Sequence, residues 1–144
     1  MKTAAVIPVK TFSNAKTRLQ LPVEKIEELC KIMLEEILQV LSISPKIEKI
    51  IIVTKEKKAI EIAKKFNALI IIDEKEEGVN QAVSLAEEYL LENNFVASMV
   101  FPQDIPGIKT QDIDFMLNYK TYPNFAIIVP SRKFDGTNAL VRMP

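Results

Sequence analysis

The chain contains no histidine and a single cysteine, Cys30. Without an imidazole there is no Ser-His nucleophile pair, no histidine general base and no histidine-ligated metal. One thiol cannot close an intrachain disulfide, and there is no C-x-x-C pair. A reducing compartment is therefore expected, and any metal must be held by oxygen ligands. Net charge is lacking too: 19 Lys and Arg offset 19 Asp and Glu. That balance argues against the basic face that a nucleic-acid grip or a membrane-surface patch requires. No apolar run approaches the roughly 18 residues of a membrane span, and the first residues lack the basic, apolar and small-residue succession of a secretion signal. The expectation is a cytoplasmic protein with small-molecule partners, no nucleic acid and no membrane. Repeats, low-complexity tracts and linkers are absent as well, so the 144 residues, 48% of them apolar, read as one domain over residues 1–144.

What is present alternates in period. Thr3 to Val9 is a short apolar run of the kind a buried strand uses. From Ile26 to Leu41 the apolar positions recur every 3.6 residues, with Pro22 placed for the first turn, which predicts a helix. Ile47 to Thr54 returns to β-branched residues and predicts a second buried strand. An amphipathic helix over Lys57 to Phe66 and a third buried strand over Ala68 to Ile72 follow. A helix from Val79 then carries Val79, Ala82, Val83, Ala86, Tyr89 and Leu90 on one face until Asn93 and Asn94 end it, and a fourth strand runs over Phe95 to Phe101. Thr110 can cap a short helix through Asn118, Phe125 to Val129 reads as a fifth strand, and Asn138 to Arg142 as a final one. Non-alternating strands separated by helices indicate a mostly parallel, doubly wound α/β sheet with helices on both faces, a Rossmann-like arrangement. In that architecture ligands sit at the carboxyl ends of the strands.

The loops that follow the strands are therefore the places to look. After the first strand come Lys10, Lys16 and Arg18, a cluster of fixed charge that would suit a polyphosphate; a solvated basic loop is the plain alternative. After the fourth strand, Asp104 lies in PQDIP between two prolines. In a chain without histidine a strand-end carboxylate is a natural Mg²⁺ ligand, since that ion takes one or two carboxylates with phosphate oxygens and water. A turn aspartate is the ordinary reading of the same residue. Gly78-Val79-Asn80 opens a helix whose free amides can face an anion while the Asn80 amide reads a base or ribose; it can equally be a simple helix start. Asp135-Gly136-Thr137-Asn138 carries a D-G pair, and on that pattern alone a tight hairpin turn is favoured.

Taken in order, IPVKTFSNAKTRL, EGVNQAV, FPQDIP and DGTNALVRMP resemble the motifs of the 2-phospho-L-lactate guanylyltransferase family of coenzyme F-420 biosynthesis, over residues 3 to 144. The resemblance implies a nucleotide-diphospho-sugar-transferase-like fold. It also implies Mg²⁺-dependent transfer of GMP from GTP to a small phosphorylated acid such as 2-phospho-L-lactate, phosphoenolpyruvate or 3-phosphoglycerate, with release of pyrophosphate. By the same resemblance Lys10, Lys16 and Arg18 would hold the triphosphate, Gly78 and Asn80 would contact the nucleoside, and Asp104 would hold the metal. Gly136, Thr137 and Asn138 would contact the acceptor. Gln103 and Gly107 depart from the family's usual small and leucine residues around Asp104, and Phe134-Asp135 stand where a further glycine is common.

Family members continue past the strand that follows this last motif, with a glycine-serine segment for the acceptor and a later acidic motif, whereas this chain ends at Pro144. The expectation is thus a C-terminally shortened domain, with apolar surface left uncovered and available for self-association. The competing reading is a noncatalytic nucleotide-binding or interaction domain that keeps the fold without the acceptor site. A phosphoacceptor receiver domain would share the open α/β organisation, but it needs acids after the first strand, where this chain has Lys10.

Overall fold

Strands rich in β-branched residues and apolar on both faces must be covered from both sides. In the computed structural model, which describes residues 3–14, 21–102, 109–118, 126–130 and 137–142, the first of these is β1, Thr3–Pro8. It pairs in parallel with β2, Lys49–Thr54, from Ala4↔Lys49 to Pro8↔Val53. On its other side it pairs in parallel with β4, Ala97–Val100, from Thr3↔Ala97 to Val6↔Val100. β2 in turn pairs in parallel with β3, Leu69–Ile72. The sheet is completed by β5, Ala126–Pro130, and β6, Thr137–Arg142, in the order β3-β2-β1-β4-β6-β5. Only β6 runs antiparallel to its neighbours β4 and β5 among the described strands.

Alternate residues of β1 enter two separate cores, as the strand pleat requires. Ala5 and Ile7 point into the core built with α1, Val23–Ser42, and α2, Lys57–Lys65. Ala4 and Val6 point into the core built with α3, Val79–Glu92. This division follows from right-handed crossovers. The steps β1 to β2 and β2 to β3 travel one way along the sheet and leave α1 and α2 on one face. The step from β3 back to β4 travels the other way and places α3 on the opposite face. α4, Thr110–Asn118, adds Ile113 and Leu117 to the α1 side.

The helices obey their sequence period. α1 buries Ile26, Cys30, Leu34, Ile37, Leu38 and Leu41 at three- and four-residue intervals, and Pro22 stands just before its first turn, its carbonyl accepting from the Lys25 and Ile26 amides. Lys58 of α2 hydrogen-bonds Glu27 of α1, and that bond, followed by the nearby Glu27 and Glu56 charges, holds the ammonium above its usual range against a lowering by desolvation.

Three expectations differ in detail. The third strand is not buried: β3 sits at the sheet edge, with Leu69, Ile70 and Ile71 half-buried and Ile72 exposed. Its apolar composition resembles that of the central strands, so composition could not reveal its position. Thr110 is the first helical residue of α4, not the cap before it. The Lys109 amide instead donates to Asp112 Oδ2 at 2.9 Å, so the acid in the first turn satisfies the helix start. Val79, expected inward, is exposed as the first residue of α3, and inward packing starts at Ala82. The expected D-G turn at Asp135 and Gly136 falls outside the described residues. The strands it would join, β5 and β6, are antiparallel neighbours, as a hairpin needs.

Leu34 is fully buried between α1 and the sheet. Replacing it with alanine removes packing that the surroundings cannot refill, so Leu34→Ala should lower unfolding free energy by about 2–5 kcal/mol in a urea titration. A loss under about 1 kcal/mol would contradict the packing of α1 described above.

Candidate functional site

The strand order fixes where a ligand can sit. After β1 the chain turns toward β2, and after β4 it leaves in the other direction, so the carboxyl ends of β1 and β4 flank the crevice of the open sheet. The sheet ladder continues past the strands at this edge. The Val9 amide donates to the Val53 carbonyl at 2.9 Å, the Phe101 amide to Val6 at 2.9 Å and the Asp73 amide to Thr54 at 3.1 Å. The first residues of each loop are thereby fixed in place.

Lys10 leaves β1 exposed at this edge. The chain then turns inward, and Phe12, in a 3-10 turn over Phe12–Asn14, is fully buried. Two carboxylates from other loops hold this turn. Glu56, which follows β2, accepts from the Phe12 amide through Oε1 at 2.9 Å. Glu76, which follows β3, accepts from the Thr11 amide through Oε1 and from the Thr11 hydroxyl through Oε2, the latter at 3.3 Å. Thr54 supports the arrangement from beneath: its buried hydroxyl donates to the Val9 carbonyl at 2.9 Å and accepts from the Glu56 amide at 3.0 Å. Asp73, 5% exposed, accepts from the Glu76 amide through Oδ1 at 3.1 Å. Lys55 Nζ lies 3.8 Å from Glu76 Oε2.

Gly78 precedes α3 with φ +119° and ψ 176°, a conformation that L side chains rarely adopt. A Cβ there would meet nothing within 4 Å, so the backbone dihedral alone calls for glycine. Val79 and Asn80 form the exposed start of α3, whose first turn carries no acidic side chain of its own. The positive end of the helix dipole is thus turned to the open edge, ready for an anion.

At the backbone level the antiparallel course of β6 brings its first residues, Thr137 and Asn138, to the same edge. β6 runs from there inward, past Leu140 opposite Val100 at the end of β4. The structure therefore brings Lys10, Gly78, Asn80, Thr137 and Asn138 to one side of the sheet. Lys16, Arg18, Asp104 and Gly136 lie outside the described residues. Among the described residues no group of three or more Asp, Glu or Cys side chains could hold a metal ion.

Sequence reasoning missed Thr54, Glu56, Asp73 and Glu76. Glu74 to Glu77 reads as a solvated acidic loop, and nothing local separates Glu76 from its neighbours. Its partner Thr11 is 65 residues away, a relation no local pattern carries.

An open, mostly parallel sheet with these loops at its carboxyl edge is a Rossmann-like α/β fold. The chain superposes on a structure from Desulfovibrio desulfuricans G20 provisionally assigned as a nucleotide-diphospho-sugar transferase, with a TM-score of 0.76 and 14% identity over 99% of this chain and 64% of that one. A cytidylyltransferase from Leptospira borgpetersenii gives 0.70 with 16% identity, covering 99% of this chain and 60% of that one. The family model for CofC-like guanylyl transferases matches residues 3–144, and the chain belongs to that family. It is 29% identical to a phosphoenolpyruvate guanylyltransferase from Conexibacter woesei, over 100% of this chain and 66% of the relative. It is 31% identical to a 2-phospho-L-lactate guanylyltransferase from Methanobrevibacter ruminantium, over 99% and 64%. A 3-phospho-D-glycerate guanylyltransferase from Colwellia psychrerythraea is 30% identical over 100% and 69%. The chain thus spans just under two thirds of the length of the first two relatives.

The hydroxyl of buried Thr54 serves two backbone groups, the Val9 carbonyl and the Glu56 amide. Thr54→Val keeps the shape and orphans both, and should cost about 1–3 kcal/mol in chemical denaturation. Stability equal to that of the parent chain would show that the loop base does not depend on this hydroxyl.

Proposed function

We propose that the protein is a guanylyltransferase that moves GMP from GTP to a small phosphorylated acid, of the kind represented by 2-phospho-L-lactate, phosphoenolpyruvate or 3-phosphoglycerate, and releases pyrophosphate. The observation that carries the reading is that relatives named for three different phosphoacids share guanylyl transfer and align with nearly all of this chain. What they hold in common is the nucleotide side of the reaction, and the acceptor is what varies. A coenzyme F-420 role and a cytoplasmic setting belong to the same proposal.

In this reading an oxygen of the acceptor phosphate attacks the α-phosphorus of GTP, a new P–O bond forms, and the bond to the β-phosphate bridge breaks. The electron pair leaves with pyrophosphate. The attacking phosphate is already ionised near neutral pH, so no side chain has to take a proton, which suits a chain without histidine. Catalysis is then positioning and charge neutralisation. Lys10, Lys16 and Arg18 bind the triphosphate and the charge that gathers on the leaving pyrophosphate. The start of α3, from Gly78 to Asn80, contacts the nucleotide with open amides and the Asn80 side chain. Gly136, Thr137 and Asn138 bind the acceptor with backbone amides and a hydroxyl. The donor set is all oxygen, and Asp104, which follows β4 closely in the chain, fits a magnesium ion that otherwise takes phosphate oxygens and water. Bound there, the ion would neutralise phosphate charge.

The test is the thermal midpoint with GTP, ATP, CTP or UTP, each with Mg²⁺ or chelator, followed by pyrophosphate release with each of the three phosphoacids. Ligand at about 100 times its dissociation constant adds roughly 2.7 kcal/mol, a rise of several degrees in a chain of this size. The expected result is a Mg²⁺-dependent rise with GTP that Asp104→Ala abolishes, with the ligand-free midpoints of variant and parent measured alongside so that a loss of binding is told apart from a loss of folding. No rise with any nucleotide would overturn the reading. Binding of GTP without turnover on any phosphoacid would favour a noncatalytic nucleotide-binding domain.

A further inference from the structure

Three described residues other than glycine have positive φ: Asn67 at 55°, Asn94 at 62° and Glu76 at 49°. The two asparagines follow α2 and α3 closely, where that residue type visits the left-handed region at little cost. Glu76 has no such excuse. A glutamate in this region is strained and persists there only where the surroundings hold it. They do so at both ends: the Asp73 carboxylate accepts from its amide, and both of its own carboxylate oxygens engage Thr11.

Electrostatics sharpen the point. The Glu76 carboxylate is mostly covered, with a side-chain exposure of 17%, and lies beside the loop that begins at Lys10. A negative charge there opposes the approach of a triphosphate, and Lys55 offsets it only from 3.8 Å. Its presence is therefore not explained by attraction to the ligand. What the side chain achieves is geometric. Thr11 is the residue after Lys10, and Glu76 stands two residues before Gly78, so the contact ties the loop after β1 directly to the approach to α3. Glu56 grips the same turn, but at buried Phe12 and from the start of α2, which bears none of the proposed ligand contacts.

We infer that Glu76 is a positioning residue, a clasp that sets the spacing between the cationic loop at Lys10 and the open amides at Gly78 to Asn80, and on which nucleotide affinity depends through geometry and not through charge. The inference rests on the guanylyltransferase reading. It makes an uncommon demand: glutamine should replace glutamate without loss. The carboxamide oxygen can accept from the Thr11 amide, its nitrogen can donate to the Thr11 hydroxyl, and the repulsion toward phosphate disappears. Glycine should fail even though it suits the backbone dihedral better.

The experiment is isothermal titration of the full chain with GTP and Mg²⁺ at a temperature well below the unfolding midpoint. Wild type is compared with Glu76→Gln, Glu76→Gly and Glu76→Asn, and hydrogen exchange is followed at the Thr11 amide. Asparagine tolerates the left-handed backbone but is too short to span to Thr11, which keeps the test open if the glycine variant folds poorly. The expected result is that Glu76→Gln binds as tightly as wild type or more tightly and protects Thr11. The glycine and asparagine variants stay folded, lose Thr11 protection and bind about three- to tenfold more weakly, as loss of a hydrogen bond of ordinary strength predicts. Equal GTP affinity in wild type and both short variants would overturn the clasp alone. A glutamine variant as weak as glycine would overturn the geometric role. A wild-type chain that ignores GTP would overturn the guanylyltransferase reading instead, and the clasp with it.

Discussion

Everything at the proposed site depends on one constraint, the burial of β1 on both faces between parallel neighbours β2 and β4. A strand in that position cannot slip by a residue without exchanging its two apolar sets between the two cores. Its carboxyl end is thus fixed in height against the ends of β2 and β4. Because the chain leaves β1 and β4 in opposite directions, the same constraint opens a crevice at that end and nowhere along the interior of the sheet. A hydrophobic requirement, met by Ala4, Val6, Ala5 and Ile7, determines where chemistry can take place.

The second layer of the account is polar and local to the edge. A loop that must present cations to a ligand cannot be held by burying those cations. Here the backbone is held instead, from below by Thr54 and from the sides by Glu56 and Glu76. Thr54 donates to the Val9 carbonyl and accepts from the Glu56 amide, while Glu56 and Glu76 accept from the Phe12 and Thr11 amides, so main-chain polar groups at the loop base are satisfied. The effect is preorganisation: the entropy of fixing the loop is met on folding and not on binding. In the proposed function a nucleotide would meet a surface already shaped at residues 10–14.

Most of the fold was legible in the sequence because two periods, non-alternating β-branched runs and 3.6-residue helical stripes, locate the elements of the parallel half to within a residue or two. Position within the sheet was less legible, since Leu69–Ile72 has the composition of a central strand and lies at the edge. The cap of α4 was misjudged because Thr110 and Asp112 both suit a helix start, and only geometry chooses between them. At the site, Lys10 and Gly78 stand at loop positions that the carboxyl-edge rule singles out, and Asn80 lies in the first turn of the helix that follows. Thr54, Glu56 and Glu76 act through contacts between segments far apart in sequence, and a threonine at a strand end or a glutamate in a loop carries no local mark of that task.

The proposed function divides the edge into a nucleotide half at the ends of β1, β2 and β3 and the start of α3, and an acceptor half entering with β6. The claim at the centre is that GTP binds at the carboxyl edge between the loop at Lys10 and the start of α3. Its most direct test is amide chemical-shift mapping of the isotopically labelled chain titrated with GTP and Mg²⁺. The account predicts the largest changes at Lys10 to Asn14 and Gly78 to Gln81, with little change at the amino-terminal ends of β1, β2 and β4. Changes concentrated at that opposite end, or on the outer face of α1, would contradict it.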